Sequence, residues 1–305
     1  MAGAPKIVVT SNMDFYPDQR ERLSALGDVT IYDDVPKDTD EWLSRCKGAD
    51  IVCSGKAGLM QGINQLKDVF IAVPFVSTSW IDKQKIAERN IKVSNTPGCN
   101  KIAVSEWIFG MLINMMRNLP SKINTFDMSQ PPPVEKGLAG KNITVLGYGN
   151  IGRRVVKLAE AFEMNVTVFK RSDNLMNCIK EADVIVDCLG GEESTNGLLD
   201  SDFFNSVKQG AFFVSVTGAS IVDIDAMLKA VDSGILAGVA HDGGGMVPAD
   251  VNDPLYKKLT ANPKVMATPH IGFLTDNTAR VSNDMMIDNI EAWIKGEPKN
   301  LVSRL

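Results

Sequence analysis

Short apolar runs separated by amphipathic stretches set the rhythm of the chain from its start. KIVVTS (6–11) reads as a buried strand and residues 17–26 as a helix. VTIYDD, ADIVCSG and VFIAVPF are further short apolar runs, each ending near Gly, Pro, Ser or Asp, as strands of a parallel sheet do. IKVSNTPG (91–98) closes this first unit. Strands of this kind are covered on both faces, and the stretches between them supply the cover. Residues 101–118 predict a long apolar helix ended by Pro120, and the Pro-rich segment 126–140 reads as a linker. From Lys141 a second strand–helix series begins: NITVLG, NVTVFK, ADVIVDCL, AFFVSVT, GILAGVAHD and KVMATPHIG. The tail 276–295 is amphipathic through Val281, Met285, Met286, Ile290, Trp293 and Ile294, which fits a helix packing back on the first unit.

Composition narrows the picture. A chain of 305 residues that is 44% hydrophobic and 23% charged is globular in character, and long enough to split into two cores. A net charge of -5 argues against a broad nucleic-acid surface. No apolar run nears the roughly 18 residues of a membrane helix, and the N-terminal sequence lacks the pattern of a signal peptide. Five cysteines, Cys46, Cys53, Cys99, Cys178 and Cys188, show no CxxC spacing, which fits a reducing cytoplasm. Two histidines, His241 and His270, leave no expectation of a metal site.

The first sharp motif is LGYGNIG, with Gly147, Gly149 and Gly152 in GxGxxG spacing and Asn150 and Ile151 between them. It follows a predicted strand and opens a predicted helix, the setting in which the spacing acquires a mechanism. The first glycine permits a tight turn, the second lets backbone approach a pyrophosphate, and the third allows close helix–strand packing. The helix N-terminus then presents unpaired N–H groups to the anion. At the end of the next strand, where an acid would bond the ribose 2′-hydroxyl of NAD, stand Lys170, Arg171 and Ser172, with no acid before Asp173. A 2′-phosphate near a cation gains about 4 kcal/mol at 4 Å and an effective dielectric of about 20, before desolvation. The expectation is NADP(H) in preference to NAD(H), with a solvated basic turn that tolerates NAD as the alternative.

The order of these segments resembles the D-isomer-specific 2-hydroxyacid dehydrogenases. IKVSNTPGCNKIAVSEW followed by Arg117, then GYGNIGRRV, GAFFVSVTGASIVDIDAMLKAVDSGILAGVAHD and MATPHIGFLT carry the likeness, which covers roughly residues 45–295. ADIVCSGKAGL and FIAVPFVSTSWID are similar to the glyoxylate and hydroxypyruvate reductase branch. The resemblance implies an α/β protein of two Rossmann-like domains. A discontinuous, flavodoxin-like substrate domain would comprise 1–98 and 276–305, and an inserted dinucleotide-binding domain 99–275. It also implies a homodimer and a small-molecule substrate.

By the same resemblance, His270 of Thr268-Pro269-His270 is the general acid, a role that suits an imidazole titrating near neutrality. A capped loop histidine is the plainer reading. The family's carboxylate-binding arginine stands five residues before the aspartate of a VD pair. Here the pair is Val222-Asp223 and the counted position is Gly218, with no basic residue between Lys208 and Lys229. The family glutamate five positions after Asp242 is replaced by Val247. Losing a charged partner of this kind costs about 2–5 kcal/mol, so a standard 2-oxo acid bound in the usual way becomes a poor substrate. Lys56 is the candidate replacement cation, or else a solvated loop lysine; Phe75 and Ser77 stand where small residues are typical, which makes Ser77 a further substrate-side position. Asp242 and Glu106 are the carboxylates that could serve His270 in place of the glutamate. His241 reads as a packed or hydrogen-bonded core residue, since strand alternation points it away from Asp242. The remaining positions that the resemblance assigns to the cofactor are Val104, Leu189, Gly190, Val216, Thr217, Gly218, Asp242, His270 and Gly272. The expectation is an NAD(P)H-dependent reductase of a carbonyl-type substrate; the alternative is a relative that binds NAD(P) as a sensor or interaction protein without turnover.

Overall fold

The computed structural model describes residues 3–123, 133–191, 193–243 and 250–302. The chain runs β1 (Lys6–Val9), α1 (Pro17–Ser24), β2 (Asp28–Ile31), α2 (Thr39–Cys46), β3 (Ile51–Cys53), α3 (Leu59–Gly62), β4 (Phe70–Ala72), α4 (Lys83–Glu88) and β5 (Lys92–Ser94). It continues with α5 (Lys101–Met116), β6 (Asn142–Leu146), α6 (Asn150–Ala161), β7 (Asn165–Phe169), α7 (Leu175–Ile179), β8 (Val184–Asp187), α8 (Ser201–Asn205) and β9 (Ala211–Ser215). The last elements are α9 (Ile224–Asp232), β10 (Leu236–His241), α10 (Pro254–Thr260), β11 (Val265–Ala267) and α11 (Asp276–Ile294). Two compact units result: Met1–Asn100 with Thr275–Leu305, and Lys101–Leu274.

In the first unit the strands form a parallel sheet in the order β2-β1-β3-β4-β5. Alternation along the strands feeds two cores. Ile7, Val9, Ile51, Cys53, Phe70 and Ala72 pack with Leu23 and with Met286, Ile287 and Ile290 of α11 on one face. Val52, Ile71 and Val93 pack with Trp42, Leu59 and Ile86 on the other. Each fully buried Val, Leu, Ile, Phe or Met among them contributes about 1.5–3 kcal/mol by leaving water. The α11 helix starts at Thr275, whose hydroxyl accepts from Thr278 N–H at 3.1 Å, an N-cap. Trp293 near its end stacks on Phe70 with ring centroids 4.5 Å apart. Buried asparagines fix its register: Asn283 donates to the Met13 carbonyl at 2.7 Å and Asn289 to that of Asn95 at 2.9 Å.

The second unit repeats the plan with one more strand, β11-β10-β9-β8-β6-β7, all parallel. Val184, Val186, Phe212, Val214 and Ala240 face α5 and α6, while Ile185, Phe213 and Val239 face the opposite core with Phe203, Phe204 and Met227. In both sheets the strand order reverses direction once, between β1 and β3 and between β6 and β8. Loops leaving such a pair of strands run to opposite faces, which opens a crevice at the carboxyl edge. Among the described residues, no helix is long and apolar enough to cross a membrane.

Candidate active site

At the β6/β8 reversal the three glycines of the LGYGNIG turn behave differently from one another. Gly147 has φ +92°, and a Cβ there would lie 2.5 Å from the Cys188 carbonyl oxygen. A Cβ on Gly152 would lie 1.9 Å from the Gly147 carbonyl oxygen, so only glycine lets α6 sit this close to the turn. Gly149 has ordinary extended backbone and nothing within 4 Å of where its Cβ would be. It is the N-cap of α6, and no side chain caps that end. The open face of the turn is therefore an anion cradle: exposed backbone, uncapped N–H groups and the positive end of a twelve-residue helix.

A cleft of about 670 Å³ begins at this cradle and is lined by Gly147, Tyr148 and Gly149, by Phe169, Lys170 and Arg171, and by Cys188, Leu189 and Gly190. Asp173, the nearest acid after β7, does not line it. Its carboxylate accepts from Lys170 N–H at 2.9 Å and from the Ser172 hydroxyl at 3.3 Å, and it borders a separate groove with Asn174 and Cys178. The basic residues and the acid of this turn thus serve different sides. A Gly149 position that a Cβ would fill, together with this donor set, fits a dinucleotide.

The wall beyond the cradle is held by Asp187, which ends β8 and is fully buried. It accepts from Leu189 N–H at 3.1 Å, from the Ser215 hydroxyl at 3.0 Å and from the Thr217 hydroxyl. Burial raises its carboxyl to about 6, against the pull of these three donors. Asp187, Ser215 and His241 occupy one register row across β8, β9 and β10. His241 is also fully buried, and among the described residues neither ring nitrogen has a partner; desolvation, then the charge of His270, lowers it to about 4. Among the described residues it is packed and not hydrogen-bonded.

His270 sits in a loop built around Asp242. The Asp242 carboxylate accepts from Ile271 N–H at 2.8 Å, from Gly272 N–H at 2.6 Å and from the Thr268 hydroxyl. Desolvation raises its pKa. A Cβ on Gly272 would come within 2.7 Å of that carboxylate and 3.2 Å of the Trp107 ring. With the loop so constrained, His270 adopts φ +54°, a left-handed conformation that costs a non-glycine residue energy and persists where neighbours enforce it. Its ring lies edge-on to Phe273 at 5.6 Å, and Nδ1 is buried without a partner among the described residues.

The other predicted positions fall in several places. Val216 is half-buried, and its N–H donates to the Asp187 carbonyl at 3.2 Å. Gly218 is half-buried, and its carbonyl accepts from Ile221 N–H at 2.9 Å. Asn150 is exposed at the first turn of α6, and Ile151 packs against the core beneath α6. Val104 is 6% exposed and belongs to the apolar cluster under α5, while Glu106 is exposed. Lys56, in the first unit, is exposed just after β3 with its Nζ 5.7 Å from the Phe75 ring centroid. Its turn is anchored by the Ser54 hydroxyl, which accepts from Thr10 at 3.0 Å and Trp42 at 2.9 Å. The Ser77 carbonyl accepts from Trp80 at 3.1 Å. Val247, with Gly244, Gly245 and Met246, lies outside the described residues, as does part of the 126–140 segment. Sequence reasoning overlooked Asp187 and Ser215; the available signal was an acid closing the apolar run Val184-Ile185-Val186.

The model of the D-isomer specific 2-hydroxyacid dehydrogenase NAD binding domain matches residues 109–272. A D-3-phosphoglycerate dehydrogenase of Bacillus subtilis is 27% identical over 234 residues, 72% of this chain and 44% of that protein. A hydroxypyruvate reductase of Thermotoga maritima is 28% identical over 255 residues, 79% of each. The chain spans about half the length of several relatives it matches. The crystal structure of a glyoxylate reductase from Paecilomyes thermophila superposes with a TM-score of 0.80 at 22% identity, covering 99% of both chains. The matched domain fills more than half of the sequence, and the chain belongs to the D-isomer-specific 2-hydroxyacid dehydrogenase family, with glyoxylate and hydroxypyruvate reductases among its relatives.

Proposed function

We propose that this protein is an NADPH-linked reductase of a small carbonyl compound related to the 2-oxo acids, with His270 as proton donor. The observation that carries the cofactor choice is the cleft itself, which joins the glycine cradle to Lys170 and Arg171 while Asp173 borders another groove. Arg171 offers a planar, bidentate donor to a phosphate, and an acid in its place would repel one. The bound dinucleotide supplies the hydride. The chain's own part is to hold the pyrophosphate on the backbone of Gly149, Asn150 and Ile151, and to flank the remainder with Leu189, Gly190, Val216, Thr217 and Gly218. Asp242 fixes the loop that carries His270, and the imidazole hands a proton to the oxygen (or nitrogen) of the reduced group. In this reading the first unit is the substrate domain, with Lys56 and Ser77 at its carboxyl edge on the substrate side. The active form is a homodimer in the cytoplasm.

Gly218 and Val247 stand where the resemblance implies an arginine and a glutamate, and this favours a substrate other than a standard 2-oxo acid. The same two positions support a second reading, a cofactor-binding protein without turnover. Steady-state oxidation of NADPH against 2-oxo acids, aldehydes and imines separates the two. The reductase reading expects turnover of at least one class, lost about 10²- to 10⁴-fold in His270→Asn with NADPH affinity within about threefold. Tight NADPH binding without turnover of any class would establish the second reading instead.

A further inference from the structure

We infer that Asp187 is a positioning residue for the dinucleotide, its buried carboxylate tying the turn after β8 to the turn after β9 so that both flank the cofactor as one wall. This rests on the reading of the glycine-turn cleft as the dinucleotide site.

The geometry is specific to those two turns. Oδ1 of Asp187 accepts from Leu189 N–H at 3.1 Å, and Leu189 and Gly190 line the cleft. Oδ2 accepts from the hydroxyls of Ser215 at 3.0 Å and of Thr217, where β9 ends and its turn begins. The Asp187 backbone adds a third tie, its carbonyl accepting from Val216 N–H at 3.2 Å. Thr195, which also lines the cleft, donates from its hydroxyl to the Gly190 carbonyl at 2.7 Å. The stretch after β8 is thus held at both Leu189 and Gly190.

The choice of side chain is informative. Val184, Ile185 and Val186, the rest of β8, are buried and apolar, and Asp187 is equally buried. Among the described residues no cation pairs with it. A carboxylate in such a place carries a desolvation cost that an apolar residue would avoid, and replacing buried charge by packed apolar groups is often neutral or stabilising. Packing alone therefore gives no reason for an acid here. An acid does what an apolar residue cannot: it accepts from a backbone N–H and two hydroxyls at once, and so sets the spacing between two turns. The carboxylate touches no reacting atom in this scheme. Its effect falls on cofactor affinity and not on the chemical step.

The experiment is titration of NADPH, followed by its fluorescence, into the whole protein and into Asp187→Asn, Asp187→Leu and Ser215→Ala. One hydrogen bond is worth roughly 2- to 12-fold in an equilibrium constant. Ser215→Ala is expected to weaken NADPH about threefold, Asp187→Leu about 30-fold, and Asp187→Asn, which keeps one acceptor oxygen, to fall between. KM for NADPH should follow Kd while kcat at saturating cofactor stays within about twofold. The melting temperature of cofactor-free Asp187→Leu should not fall in step. NADPH affinities within twofold of wild type in Ser215→Ala and Asp187→Asn would overturn the inference, including where Asp187→Leu fails to fold. A loss of melting temperature and kcat that parallels the loss of affinity would also overturn it, by marking a general structural role. Failure of the wild-type protein to bind NADPH would overturn the dinucleotide reading and this inference with it; normal wild-type binding with indifferent variants overturns this inference alone.

Discussion

Replacing Gly149 by valine separates binding from folding. The residue has φ -79° and ψ -160°, a conformation open to any L-amino acid, and its Cβ would meet nothing within 4 Å. As an N-cap, glycine exceeds valine by at most about 1 kcal/mol. The melting temperature of Gly149→Val should therefore lie within about 4 °C of wild type, at about 2–4 °C per kcal/mol for a unit of this size. The new isopropyl group would nevertheless stand in the cradle where the N–H groups of the α6 N-terminus meet the anion. Losing two charge-assisted hydrogen bonds, each worth about 1.5–3 kcal/mol, predicts at least a hundredfold weaker NADPH binding, near 2.7 kcal/mol. Gly152→Ala is the control of opposite sign. Its Cβ would lie 1.9 Å from the Gly147 carbonyl oxygen, so α6 must shift. Overpacking of that order costs about 1–3 kcal/mol or more, and the melting temperature should fall by about 5 °C or more. Calorimetry and NADPH titration on the two variants read both quantities. A Gly149→Val protein that binds NADPH like wild type would refute the assignment of this turn as the phosphate cradle.

Further outcomes follow from the charges. Arg171→Asp should weaken NADPH about 30- to 300-fold, within a Coulomb ceiling of about 4 kcal/mol, and NADH less than about threefold; equal losses refute the 2′-phosphate assignment. Gly218→Arg should raise kcat/KM for glyoxylate or hydroxypyruvate at least about tenfold, and no change for any substrate would place the wrong residue at the arginine position. Two buried groups give opposed pH dependences of stability. Asp187 holds its proton to about pH 6 in the folded chain and releases it near 3.8 when unfolded, so its contribution falls as pH rises from about 4 to 6. His241 takes up a proton below about 6.5 when unfolded but only near 4 when folded, so its contribution rises over about pH 4 to 6.5. Each effect is of order 3 kcal/mol. Urea unfolding against pH should show a rising slope uncovered in Asp187→Asn and a falling one in His241→Asn; superimposable profiles for all three proteins contradict the burial argument.

Buried parallel strands were the most legible part of the sequence. Runs such as NITVL and AFFVS are apolar on both faces because helices cover both, and Gly, Asp or Ser ends each run. Helix ends were less so. The apolar pattern of α5 runs to Asn118, but the helix stops at Met116 because Asn118 takes a left-handed conformation, φ +49°, before Pro120. The α6 helix begins at Asn150, five residues before Val155, its first buried apolar side chain, because Gly149 is its cap. Short helices such as α3 and α7 have too few turns to display a period. Strand order left no local trace, since it is decided by which crossovers bury the most surface. At the site, alternation along β10 correctly separated His241 from Asp242, which turns to the His270 loop. The role of Asp242 as the anchor of that loop, and of Asp187 between two turns, depends on hydrogen bonds spanning 26 to 30 residues, which spacing along one strand does not encode.

A crystal structure of the protein grown with NADPH tests the central claim most directly. The account predicts the pyrophosphate on the backbone at Gly149 and Asn150, the 2′-phosphate against Lys170 and Arg171, and the nicotinamide ring beside His270. An empty cleft, or a ring bound far from that imidazole, would contradict it.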